Sequence, residues 1–128
     1  MQQWLFTIRG NQEDPKGNAM PKLRLTQKAL WTPKALRYFA WADYVRECYW
    51  LALGKAQKVK PYGKDFVGRM DIAIYWSNER HGDQEGIFGS LADALFENDK
   101  ELCGSFVAFH NDKKNPRVEV RISTMDKT

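Results

Sequence analysis

The chain has 128 residues and a mass of 14.9 kDa, with 20 Lys plus Arg against 16 Asp plus Glu, a net charge of +4. This length suits a single domain over residues 1–128, and 43% hydrophobic with 13% aromatic residues excludes the apolar-poor composition of a disordered chain. Charges break the apolar stretches well before the roughly 20 residues that span a bilayer, and Met1-Gln2-Gln3-Trp4 does not open a basic-then-apolar leader, so a cytoplasmic protein without membrane contact is expected.

Residues 3–9 mix β-branched and aromatic side chains and stop at Gly10-Asn11, which predicts an opening strand. A loop rich in Gly, Pro and Asn leads to Pro21. Thr32-Pro33 then combines a hydroxyl N-cap with a proline at the first helical position, where its missing N–H costs nothing. Ala35, Tyr38, Ala42, Val45, Tyr49 and Ala52 recur at spacings of three and four, with Phe39 and Leu53 flanking, until Gly54. The pattern predicts a long amphipathic helix.

Residues 55–64 form a basic linker ending in Pro61-Tyr62-Gly63. Phe66 and Val67 lead into a run that alternates from Met70 through Asp71, Ile72, Ala73, Ile74 and Tyr75 to Trp76, the period of a strand with one face on the core. After a turn at 78–82, a second helix is predicted over about 84–97, with Ile87, Phe88, Leu91, Ala94 and Leu95 on its apolar face and Glu85, Gly86, Ser90, Asp93 and Glu97 largely opposite. Strands are predicted at 102–109 and 118–122 around a polar turn at 111–116. The order implies an α/β or α+β fold, a small mixed sheet packed with two main helices. Cys48 and Cys103 lie in apolar runs without CxxC spacing, and the chain has only 2 His, so both are expected as reduced core residues and not as zinc ligands.

Charge is unevenly spread. Lys16, Lys22, Arg24, Lys28, Lys34 and Arg37 follow one another with no acid among them, and Lys55, Lys58, Lys60 and Lys64 form a second cluster, whereas acids gather between Glu79 and Glu101. Asp83 and Glu85 stand two apart where the strand gives way to the second helix, and Asp99 follows that helix. Three convergent carboxylates would make a hard oxygen site for Mg²⁺ or Mn²⁺, able to polarise a phosphoryl oxygen and activate water. On spacing alone a second account is open: Asp83 as N-cap, Glu85 as a first-turn acid complementing the helix dipole, and Asp99 as a turn residue. His81 reads as a surface turn residue before it reads as a base, and Asp93 as a solvated side chain or an outer-shell partner of the site.

The segment Asp83-Gln84-Glu85-Gly86, the triplet Asp93-Ala94-Leu95 and the pair Asn98-Asp99 resemble the RusA family of Holliday-junction resolvases, Mg²⁺-dependent endonucleases that cut four-way DNA junctions. The resemblance extends to Phe6-Thr7-Ile8-Arg9-Gly10, Pro15-Lys16-Gly17, Lys22-Leu23-Arg24 and Trp31-Thr32-Pro33, and so covers nearly the whole chain in order. It implies Mg²⁺, with Mn²⁺ as a substitute, held by Asp83, Glu85 and Asp99, a metal-bound water attacking a DNA phosphodiester, and Lys16, Lys22, Arg24 and Arg80 on backbone phosphates.

A homodimer follows from the same resemblance, because two symmetric cuts across a junction call for two sites related by a two-fold axis. Three departures stand out. Glu85 replaces an aspartate, Gly86 stands where the family has Asn, and Gly89 stands where it has the lysine that steadies phosphate charge, a role for which Lys100 or Lys16 is the candidate here. The alternatives are a RusA-like module that binds branched DNA without turnover, and a small basic scaffold whose acids only cap a helix.

Overall fold

The computed structural model describes residues 2–11, 18–23, 31–54, 60–77, 84–97, 102–108 and 112–124. Its elements are β1 (Gln3–Arg9), α1 (Pro33–Leu53), β2 (Gly68–Tyr75), α2 (Gln84–Leu95), β3 (Cys103–Ala108) and β4 (Arg117–Thr124). The strands form one mixed sheet in the order β1-β4-β2-β3, so the last strand in sequence lies inside the sheet. β4 runs antiparallel to both β1 and β2, while β2 and β3 are parallel with α2 as the connection between them. This is the expected small mixed α+β architecture.

α1 starts and stops for the reasons written in its sequence. The Thr32 hydroxyl accepts from the Ala35 N–H at 3.2 Å, Pro33 opens the first turn, and Gly54 takes a φ of 71° so that its N–H reaches the Trp50 carbonyl at 2.8 Å. That left-handed conformation suits glycine at a helix C-terminus. Its buried face is Ala35, Tyr38, Trp41, Ala42, Val45 and Tyr49, which corrects the expectation at two positions: Trp41 is in the core and Ala52 is exposed. The helix packs against β1 and α2.

On the sheet, Phe6, Ile8, Met70, Ile72, Ile74, Val118, Val120 and Ile122 point inward and are buried, alternating with an outer face that mixes polar side chains with Leu5 and Ala73. α2 ends at Leu95, two residues before its predicted limit. The cause is Tyr62, which leaves the basic linker to enter the core: its N–H donates to the Leu95 carbonyl at 3.0 Å and its carbonyl accepts from the Glu97 N–H at 2.9 Å. Its ring stacks on Phe96 with centroids 4.8 Å apart, and its hydroxyl lies 3.0 Å from that of Tyr49.

Strand β2 begins at Gly68, two residues ahead of the alternation read from Met70, while the Phe66 N–H is spent on a turn to Gly63. β4 extends beyond 118–122 since it is paired on both sides from Arg117 onward. Gly104 stands opposite Met70 in the pairing of β3 with β2, and a Cβ there would collide with the Met70 carbonyl oxygen. Cys48 is half-buried, but Cys103 is exposed and not the predicted core residue, because it opens edge strand β3 opposite the outward-facing Arg69. Among the described residues no helix is long and apolar enough to cross a membrane.

Candidate functional site

The segment 18–23, which belongs to the basic stretch of the sequence, is fastened at one end just past β2 and at the other to the first turn of α2. Asn18 is buried, and its Oδ1 accepts from the Ser77 N–H at 2.7 Å just past β2, while its carbonyl accepts from Asn11 Nδ2 at 2.8 Å. Four residues later the Lys22 N–H donates to the Gly86 carbonyl at 2.8 Å, in the first turn of α2. Ala19 is buried, and Met20 and Leu23 pack against the core between and beyond these anchors. The segment therefore grips both flanks of the connection that carries His81 and Asp83.

Two nominated site residues are described directly. Glu85 is exposed in the first turn of α2 and forms no ion pair with a described cation. Lys22 is exposed beside the same helix. Asp83, Asp99, Lys16, Arg24, Arg80 and Lys100, together with His81, lie outside the described residues. Among the described residues no group of three His, Cys, Asp or Glu side chains is placed to hold a metal ion. As a free hard-oxygen donor at the start of α2, Glu85 fits a Mg²⁺ site, and it would need Asp83 and Asp99 to complete one.

Asp93 has a different task. Its carboxylate accepts from the Tyr38 hydroxyl at 3.0 Å and lies 3.9 Å from Lys60 Nζ, tying α2 to α1 and the linker. Burial, and then the Asp93 charge, push the Tyr38 hydroxyl well above the usual phenol range, so it stays protonated as the donor. Eight residues of helix place Asp93 about 12 Å along the axis from Glu85. It is a brace between helices, neither freely solvated nor beside the first turn. Ser90, placed on the polar face by periodicity, is buried as well, accepting from Trp41 Nε1 at 3.2 Å and donating to the Ile87 carbonyl at 2.9 Å.

No protein-family model matches this chain, and no curated protein matches it.

Sequence reasoning missed one polar cluster, on the outer face of the sheet. Asp71 accepts from Arg69 Nη2 at 2.9 Å, from Ser105 Oγ at 2.8 Å and N–H at 3.0 Å, and from Arg121 Nη2 at 3.3 Å. The available signal was local: Arg69 and Asp71 stand two apart on a strand and so share a face. Arg121 and Ser105 join only through the register of β2 with β4 and β3. Asp71, Ser105 and Arg121 border a hollow of about 300 Å³ floored by Ala73 and edged by Leu5 and Glu119.

Hydrogen bonds from Arg69, and then from Ser105 and Arg121, hold the Asp71 carboxyl well below the usual carboxylate range although partial burial opposes this. A folded-state value below the unfolded one, about 3.9, stabilises the fold above that pH, and the gain is lost as pH falls toward the folded value. The urea midpoint of the protein is therefore expected to drop below about pH 4, and Asp71→Asn to flatten that drop. An unchanged acid limb in Asp71→Asn would place the acid sensitivity elsewhere.

Proposed function

We propose that the chain is a Mg²⁺-dependent, structure-selective endodeoxyribonuclease that cuts four-way DNA junctions as a homodimer. The observation that supports this reading is the fastening of the segment that carries Lys22, through Asn18 to Ser77 just past β2 and through Lys22 to Gly86 in the first turn of α2, beside Glu85. A polyanion-cutting site requires cations beside its carboxylates to bring phosphates against their repulsion, and Lys22 stands in that relation to the helix turn that carries Glu85.

In this reading Asp83, Glu85 and Asp99 hold Mg²⁺, with Mn²⁺ as a substitute, and the bound metal supplies Lewis acidity and an activated water. The chain's own part is placement. Glu85 rides on a helix braced by Trp41 through Ser90 and by Tyr38 through Asp93, so its backbone is held firm while its side chain stays open. Lys16, Lys22, Arg24, Arg80 and Lys100 neutralise backbone phosphates, a contact that gives affinity without sequence readout. The alternative reading, a RusA-like module that binds branched DNA without turnover, is favoured by one feature: Gly86 has no side chain where the family carries an asparagine.

A synthetic four-way junction, incubated with Mg²⁺ or Mn²⁺ and run beside a gel shift in Ca²⁺, tests both. Symmetric nicking in Mg²⁺ with salt-sensitive binding is expected. Binding without nicking would leave only the module, and no salt-sensitive binding at all would remove nucleic acid from the account.

A further inference from the structure

We infer that Lys22, laid across Gly89 of α2, contacts the phosphate that is cut; this rests on the endonuclease reading above. Gly89 is the second glycine in a helix of 12 residues, and glycine is a poor helix former in such a position. The space it leaves is filled. A Cβ at residue 89 would lie 3.3 Å from Lys22 Cδ and 3.4 Å from Lys22 Cβ, so the aliphatic stem of the lysine runs over the helix where a side chain would otherwise stand.

Two contacts thus hold Lys22: its N–H on the Gly86 carbonyl and its stem on Gly89. Gly89 is four residues from Glu85, on the same helix face, so the stem passes within one helical turn of that carboxylate. Yet the ammonium forms no ion pair with a described carboxylate. A lysine whose stem is held in place and whose charge remains unspent is suited to an anion arriving from solvent, here a phosphodiester oxygen beside the Glu85 face. As water oxygen bonds to phosphorus, giving up a proton to solvent, and the ester P–O bond breaks, negative charge grows on the non-bridging oxygens. The ammonium would stabilise that charge by hydrogen bonding, while the leaving oxygen takes a proton from solvent. Lys22 would thus take the part for which the resemblance offered Lys100 or Lys16 as candidates.

The test is single-turnover cleavage of a four-way junction in Mg²⁺ by wild type, Lys22→Ala, Lys22→Arg and the double variant Lys22→Ala/Gly89→Lys, beside a gel shift in Ca²⁺. Lys22→Ala is expected to slow cleavage by about 10²- to 10³-fold with affinity reduced by less than about tenfold, as for loss of one phosphate contact. Lys22→Arg should keep much of the rate. The double variant, which grows the ammonium from the helix itself, should recover most of what the single one lost. Cleavage by Lys22→Ala at the wild-type rate, or a rate loss matched by an equal affinity loss, overturns the inference and leaves the nuclease standing. A wild type that cleaves in neither metal overturns both. Should Gly89→Lys impair folding by thermal melt, Lys22→Ala against Lys22→Arg decides alone, since residue 22 is exposed.

Discussion

Glu85→Gln and Asp83→Asn are each expected to lower junction cleavage in Mg²⁺ by about 10²- to 10³-fold or more, while binding in Ca²⁺ is kept or tightened. Each change removes a charge and keeps the shape. A Mg²⁺ site built on hard anionic oxygens loses a ligand of the required kind, and DNA loses a repulsive neighbour. Glu85 is exposed and carries no described ion pair, so its replacement should leave stability within about 0.5 kcal/mol. Asp83→Asn should also be nearly neutral, because asparagine caps helices as well as aspartate does.

Asp83→Ala separates the two roles open to that residue. Loss of about 1 kcal/mol with cleavage intact would make Asp83 a helix cap only. Loss of cleavage in Asp83→Asn, with the melt unchanged, would make it a ligand. Activity assays and urea melts on the same three proteins give both readouts.

Trp41→Ala is expected to cost about 3 to 5 kcal/mol, a large part of the 5 to 15 kcal/mol that holds a domain of this kind together. Trp41 is completely buried and the largest such side chain on α1. It joins the two helices twice, by packing in the core and by the hydrogen bond from its indole N–H to Ser90. Trp41→Phe keeps most of the apolar area and loses the bond, and Ser90 still donates to the Ile87 carbonyl, so a smaller loss of about 1 to 2 kcal/mol is expected. Urea denaturation at neutral pH checks both. A shift under 1 kcal/mol for Trp41→Ala would mean that α1 and α2 do not lean on this side chain.

These two sites also mark how far the sequence could be read. The limits of α1 were legible because Thr32, Pro33 and Gly54 act on their own neighbours, and β2 was legible from its alternation of apolar and polar residues. The side of α1 that Trp41 would take was not. Trp41 and Ala42 are adjacent and both can fall on a broad apolar face, and only the packing of α2, with Ser90 turned inward, drew Trp41 into the core. α2 was found but overrun by two residues, since its stop is a contact with Tyr62 and not a residue in its own sequence.

The site divides in the same way. Glu85 at the start of a helix and the basic stretch before α1 were visible as residue types at given spacings. That Asn18 and Lys22 are fastened around the β2 to α2 connection was not, because it joins residues about 60 positions apart. By itself, the sequence determined the elements, the burial period of β2 and the separation of acid from base along the chain, all of them short-range properties. The tertiary structure alone decided that β4 lies inside the sheet, that Asp71 gathers Arg69, Arg121 and Ser105, that Asp93 braces two helices, and that Lys22 lies where Gly89 leaves room. Each of these depends on how separate elements pack, and local periodicity places a residue on a face without stating what that face will meet.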